Sequence, residues 1–446
     1  MNLKPFVASM FVLGLASSPA MAAGNNTEHM QMQLDAMKSK IAKMESVVNT
    51  NSAGGFQQEG WFNRIKISGE ANIDARWANR SPINFGLGAD GRVRDQSATD
   101  LTVNNASLFV DATVNSWTSV HVGLLYQDTN NFSRILGFPV VPTSQFNPQL
   151  AMNNFNSVLD EMYVRIGDFS RTSIYGQVGK MSIPFGDYKR FSAVVPFTQL
   201  LTETRQTAIQ LGFVDGSGFN GAVYVFRGSP KVGDVAGGFQ TTSRVQNFGV
   251  NLGIANTTDK MGYKFGVGYL RNMADVKYIN DRIGNAANVL GANAYNKPVG
   301  GLSVDGAVSM GAFDANAHYV TALQTFDARD MQYVNGQSVA VAAQPRAWGV
   351  ELGYSFKVIG DHQSRVALGY QESKHTGGII RANSGAPTFV NGGLNIPKRR
   401  FVADYAVNVS KNADIAVALY NDRDHNVGGT NKTATTGVVR LSVKFS

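Results

Sequence analysis

The 446-residue chain has no cysteine and only 13 prolines. Without cysteine there is no disulfide framework, no thiolate metal site and no thiol nucleophile. After residue 22 it also has no apolar run near the roughly 18 residues needed to cross a bilayer as a helix. The mature chain is therefore either soluble outside the cytoplasm or inserted as a closed barrel, since lipid tolerates no other backbone arrangement. Glycine is abundant, at 47 residues, and aromatic residues make up 10%; that composition favours the barrel. Lys and Arg (40) outnumber Asp and Glu (32), giving +8. The two signs are interspersed, so the excess can attract small anions but does not imply nucleic acid.

The first residues, MNLKPFVASMFVLGLASSPAMA, carry Lys4, an apolar run from Phe6 to Ala16, and Ala20 and Ala22 flanking Met21. This pattern is expected to be a secretory signal peptide over residues 1–22. Ser17, Ser18 and Pro19 interrupt the run, which argues against a membrane anchor. Met30, Leu34, Met37, Ile41, Met44 and Val48 then recur at spacings of four and three. They form the seam of a short periplasmic coiled coil or of a single amphipathic helix. The polar stretch NTNSAGG completes a helical segment and linker over residues 23–55, and a barrel is expected over 56–446.

From Arg64 the period changes to two. In IKISGEANIDARW, Ile65, Ile67, Ala71, Ile73 and Trp77 alternate with Lys66, Ser68, Glu70, Asn72, Asp74 and Arg76. A soluble sandwich would alternate as well, so segment count and loop length decide. Sixteen such segments run from 64–77 to 435–445, an even number as bacterial outer-membrane barrels require. Short turns, at 115–117, 215–218, Asp314 and 410–411, take turns with long polar loops such as 272–302 and 374–398. The expected fold is all-β, a 16-stranded antiparallel transmembrane barrel, with the short turns periplasmic and the long loops extracellular. Trp61, Trp117 and Phe356 fall at the periplasmic rim and Trp77 and Trp348 at the outer one, as aromatic girdles would.

The stretch YGQVGKMSIPFGDY, residues 175–188, is close to a phosphate-binding loop but lacks its requirements. Two residues rather than four separate Gly176 from Gly179, Met181 follows Lys180, and no helix start follows to face a phosphate. The segment LDEMYVRIGDFSRTSIYGQVGKMSIPFGDY, residues 159–188, instead resembles the sixteen-stranded outer-membrane porins. Within these it is most similar to the siderophore-porin family typified by the legiobactin receptor of intracellular gammaproteobacteria. The phosphate-selective porins O and P share the strand, turn and "GK…PFG" pattern. In architecture the likeness extends over about 64–445, while its motifs are concentrated in these thirty residues.

The resemblance implies passive diffusion through a central pore, a homotrimer in the outer membrane of a Gram-negative bacterium, and a third loop folded inward. Asp187, Lys189, Arg190, Glu203 and Arg205 are the candidate constriction residues. Alternation places Lys66, Arg76, Arg165, Lys264, Arg365, Arg400 and Arg440 on the pore wall, and leaves Lys180 ambiguous between its two sides. The expected solute is a ferric siderophore, with a general or phosphate-preferring anion porin as the alternative. A structural barrel or adhesin is the third reading. No cofactor is expected, and a siderophore brings its own iron ligands. His121, His318, His362, His375 and His425 are scattered, the last three in loops or turns without an assignable partner, which disfavours an enzyme.

Overall fold

A computed structural model describes residues 64–79, 98–126, 157–229, 231, 245–258, 261–280, 295–327, 330, 343–358, 362–376, 379–381, 387–389, 394, 396–423, 425 and 433–445. The expected signal peptide, the heptad segment, its linker and Trp61 lie outside these residues.

Sixteen strands form one closed antiparallel barrel. They are β1 (Ile65–Ala78), β2 (Ala98–Thr113), β3 (Thr118–Tyr126), β4 (Ser157–Ile166), β5 (Ile174–Ser182), β6 (Arg205–Val214), β7 (Phe219–Arg227) and β8 (Val245–Thr257). β9 (Met261–Leu270), β10 (Gly301–Met310), β11 (Phe313–Ala322), β12 (Arg346–Lys357) and β13 (Gln363–Lys374) continue the wall. The hairpin β14 (Ile379–Arg381) and β15 (Pro387–Phe389) stands apart from it, and β16 (Arg399–Ser410), β17 (Ala413–Arg423) and β18 (Thr433–Phe445) complete it. Each of the sixteen expected segments corresponds to a barrel strand. One turn is displaced: β10 and β11 are joined at residues 311–312, where Gly311 adopts φ 58°. Asp314 sits inside β11 and accepts a hydrogen bond from Ser309 Oγ.

The alternation places apolar side chains outside. Along β12, Trp348, Val350, Leu352 and Tyr354 are exposed, while Gly349, Glu351 and Gly353 between them are buried. Outward aromatic rings gather at two heights. Near the long-loop end Tyr370 packs against Trp348 and Phe401, with centroids 5.3 and 4.8 Å away. Near the short-turn end Tyr354 meets Phe313 and Phe356 at 4.9 and 5.9 Å. Trp348 and Tyr354 are six residues apart, about 20 Å of strand, and the leucines and valines between them form the belt that lipid would contact.

Closure rests on the pairing of β1 with β18, in which Asp74 lies opposite Arg440. Arg440 donates from Nε and Nη2 to the two Asp74 oxygens at 2.6 and 2.8 Å. Arg76 and Asn104 also donate to Asp74, which is fully buried. A two-pronged pair of this kind fixes the register where the first and last strands meet. Replacing Asp74 with Leu leaves Arg440 buried without its counter-charge and is expected to destabilise the barrel by about 3–5 kcal/mol. The temperature at which folded barrel converts to its slow-migrating form on a gel should drop accordingly, and adding Arg440→Met should restore most of it. An unchanged transition in the single variant would remove the seam from this account.

Candidate functional site

The interior is built by the third long loop, residues 183–204, between β5 and β6. Gly179 in β5 takes φ 137°, and a side chain there would collide with the backbone of Tyr163 on β4. Four residues past the strand end, Gly186 takes φ 90°, with the Thr202 side chain 3.0 Å from where a Cβ would stand. Only glycine adopts that backbone readily. The two glycines that resembled a nucleotide loop, Gly176 and Gly179, thus both lie in the wall strand β5, and a third, Gly186, makes the turn that sends the chain inward.

Beyond this turn the loop crosses the lumen, and its anchors are inward side chains on the far wall. Asp187 meets Lys264 of β9 at 3.0 Å. The Lys189 carbonyl accepts from Asn316 Nδ2 and lies 3.1 Å from His318 Nε2, both on β11. Glu351 of β12 takes the Phe191 N–H at 2.7 Å and the Ser192 hydroxyl at 2.6 Å. Asp404 of β16 takes the Ala193 N–H at 3.0 Å, and Gln371 of β13 takes the Phe197 N–H at 3.0 Å. Arg400 donates to the Val195 carbonyl and to Asp422, its guanidinium 4.7 Å from the ring centres of both Phe197 and Tyr420. A short helix, α1 (Phe197–Leu200), returns the chain to β6, where Arg205 bridges Glu203 and Asp160 at 3.3 and 2.7 Å.

Apolar packing holds the loop as well. Val194 joins Val402, Ala406, Ala418, Tyr420 and Val438 on the inner face of β16 to β18. Phe185, Phe197 and Leu201 share a larger core with inward Tyr224 and Phe226 of β7, with Met273 and Ile279 of the loop after β9, and with Leu394 and Ile396. The lumen side of the wall is therefore not uniformly polar, as alternation alone implied. On β7 both faces are apolar, one for lipid and one for this core.

The candidate residues divide by surroundings. Arg76, Lys264, Arg400 and Arg440 on the wall, and Asp187, Glu203 and Arg205 at the loop, are in ion pairs. Burial favours the neutral forms of Asp187 and Glu203, but Lys264 and Arg205 respectively outweigh it and hold both carboxyls below their usual range. Arg190 is buried, 3.5 Å from Gln199 Oε1, and burial with the nearby charge of Arg440 lowers its pKa to about 10. Arg365 lies over the Phe191 ring at 5.4 Å, and Lys189 Nζ lies 5.6 Å from the same ring. Lys66 is exposed on the inward side of β1, opposite Asp111. Arg165 faces inward between two tyrosines. Lys180 is on the other side: it shares parity with exposed Ile174 and Val178 and donates to the Leu159 carbonyl.

Inward residues of β6 to β17 are mostly covered by loops, among them Gln210, Asn247, Asn316, Glu351, Gln371 and Asp404. On β1 to β5, Lys66, Glu70, Phe109, Asp111, His121, Arg165 and Tyr175 keep accessible surface. Among the described residues, the open lumen runs along that wall. Alternation alone puts Glu351 and Asp404 on inward positions, but their grip on the loop depends on register across the barrel. His121, scattered from the other histidines in sequence, has Asp111 2.6 Å from its Nδ1 and Glu161 3.6 Å from its Nε2.

No family model matches the chain. A UPF0422 protein of Coxiella burnetii is 24% identical over 295 residues, 66% of this chain and 56% of that protein. The chain thus spans little more than half the length of that relative. The high-pH structure of OprB from Pseudomonas putida superposes with a TM-score of 0.50 at 10% identity, over 88% of this chain and 97% of the other. The outer membrane channel DcaP of Acinetobacter baumannii gives 0.49 at 10% identity, over 85% and 97%. The closed sixteen-stranded barrel is thus a fold shared with OprB.

Glu351→Ala removes the acceptor of two loop groups and should release residues 187–196 from the wall. Trypsin cleavage after Lys189 or Arg190 in the folded barrel is expected to rise on the order of tenfold, read by mass spectrometry of the fragments. Unchanged protection would mean that Glu351 does not hold the loop.

Proposed function

We infer that this chain is an outer-membrane porin that lets small solutes diffuse passively along the β1 to β5 wall. The observation that carries the reading is the third loop, held across the lumen by side chains from five strands while the opposite wall stays accessible. A purely structural barrel has no need to keep one side of its lumen open. The long loops face outward from the cell and the short turns face the periplasm, as bacterial barrels are oriented. The homotrimer, and a periplasmic helical segment over residues 23–55 that ties protomers together, belong to the same proposal.

For the solute, the lumen favours small organic or inorganic anions. Lys66 and Arg165 have no ion-pair partner among the described residues, and cations beside a solute path raise local anion concentration. The resemblance in residues 159–188 supports a ferric siderophore. Passage of so bulky a chelate requires the third loop or the loops packed on it to move aside. Block of single-channel current separates the two: a ferric chelate that interrupts current at low concentration supports siderophore traffic, and block by phosphate alone supports the anion porin. The double variant Lys66→Glu with Arg165→Glu should shift the zero-current potential in a salt gradient toward cation preference. No conductance from folded protein would refute the porin reading and favour the structural one.

A further inference from the structure

Beside the open lumen, near the short-turn end, four inward aromatic groups and one arginine lie on adjacent strands. Phe109 of β2, His121 of β3 and Tyr163 of β4 form a near-parallel series, with centroids 5.8 and 5.0 Å apart and interplanar angles of 28° and 24°. Two residues along β4, the Arg165 guanidinium lies 5.8 Å from the Tyr163 ring centre and 5.7 Å from that of Tyr175 on β5. Phe169, in the turn between those strands, meets Tyr175 edge-on at 5.7 Å and 60°.

Tyr175 is the distinctive member. A Cβ at Gly212 on β6 would run into its Cζ, Oη and Cε1 atoms, so the ring lies flat across the neighbouring strand. Its hydroxyl is hydrogen-bonded to the Gln210 side-chain amide at 3.1 Å, which fixes that posture. One ring face is spent on the wall, and the residue keeps part of its surface accessible. The Arg165 guanidinium, 5.7 Å from the ring centre, and Phe169 border the rest of the ring. With the Gln177 amide oxygen turned toward it, Arg165 donates from Nε and Nη2 at 2.9 Å each. Its Nη1 has no partner among the described residues, and no carboxylate there forms an ion pair with it. The nearest acidic groups are engaged elsewhere: Asp168 accepts from Ser170 and pairs with Arg171, while Asp111 and Glu161 flank His121.

A partly accessible aromatic ring beside a guanidinium with no ion pair among the described residues suits one ligand class: a planar ring carrying an anionic group. We propose that Tyr175, Phe169 and Arg165 form a binding site for aromatic carboxylates at the periplasmic end of the open lumen. The ring stacks on Tyr175 with its edge against Phe169, and the carboxylate accepts from Arg165 Nη1. The placement rests on the channel reading, but the site itself does not require conduction.

Benzoate binding to the folded full-length barrel in detergent, measured by calorimetry, tests the site. Benzoate should bind about tenfold or more tightly than cyclohexanecarboxylate, which keeps the charge without the flat ring, and than benzamide, which keeps the ring without the charge. Arg165→Gln and Tyr175→Leu should each weaken benzoate about tenfold or more. Tyr175→Phe, which keeps the ring, should retain binding and guards against a folding defect in the leucine variant. Equal affinity for cyclohexanecarboxylate or benzamide, or full affinity in either disruptive variant, would overturn the site. Protein that conducts but does not bind benzoate refutes this site alone. Protein that binds benzoate but does not conduct supports the site and refutes the channel.

Discussion

A backbone inside hydrocarbon, or inside a packed lumen, must have its N–H and C=O groups satisfied, and everything else in this barrel depends on how that is done. In the wall, closure removes the sheet edge, and the final join is held by Asp74 and Arg440 directly opposite one another. In the lumen, the third loop has no strand to pair with. Its N–H groups go instead to Glu351, Asp404 and Gln371, polar side chains on inward positions of the wall. Truncating one of those side chains therefore affects a loop more than 150 residues away in sequence.

The anchored loop divides the interior into unequal parts. On the side of β6 to β17 it merges with other long loops into an apolar core, and the inward face of the wall is mostly covered. On the side of β1 to β5 the wall stays accessible, and there the residues are charged or aromatic. A channel that is eccentric rather than central has one wall to contribute chemistry, and that wall carries Lys66, Arg165 and the Tyr175 ring. Selectivity by charge and recognition by stacking would then act on the same solute along the same surface.

Much of the fold was legible because a half-exposed strand writes its two faces into alternate residues. IKISGEANIDARW and RAWGVELGYSFK each declare a lipid face and a lumen face, and the sorting of long and short connections declares the barrel. The inward turn at the "PFG" sequence followed from resemblance rather than from alternation. What remained illegible depends on register between distant strands. Nothing local to Ser192 names Glu351 as its partner, and Lys180 was settled only by the exposure of Ile174 and Val178 and its bond to the Leu159 carbonyl. The interior core escaped because Tyr224 and Phe226 sit where alternation promised water; their signal was a strand apolar on both faces, beside loops rich in Phe, Ile and Leu.

Zero-length coupling of Asp187 to Lys264 in native membranes tests the crossing of the lumen most directly. The two groups are 3.0 Å apart and belong to the loop and the far wall, and Lys444 with Asp414, 3.8 Å apart on neighbouring strands, is a control with closely matched exposure. Carbodiimide treatment and peptide mass spectrometry should yield both cross-links. The control link without the Asp187–Lys264 link would contradict a loop anchored across the lumen.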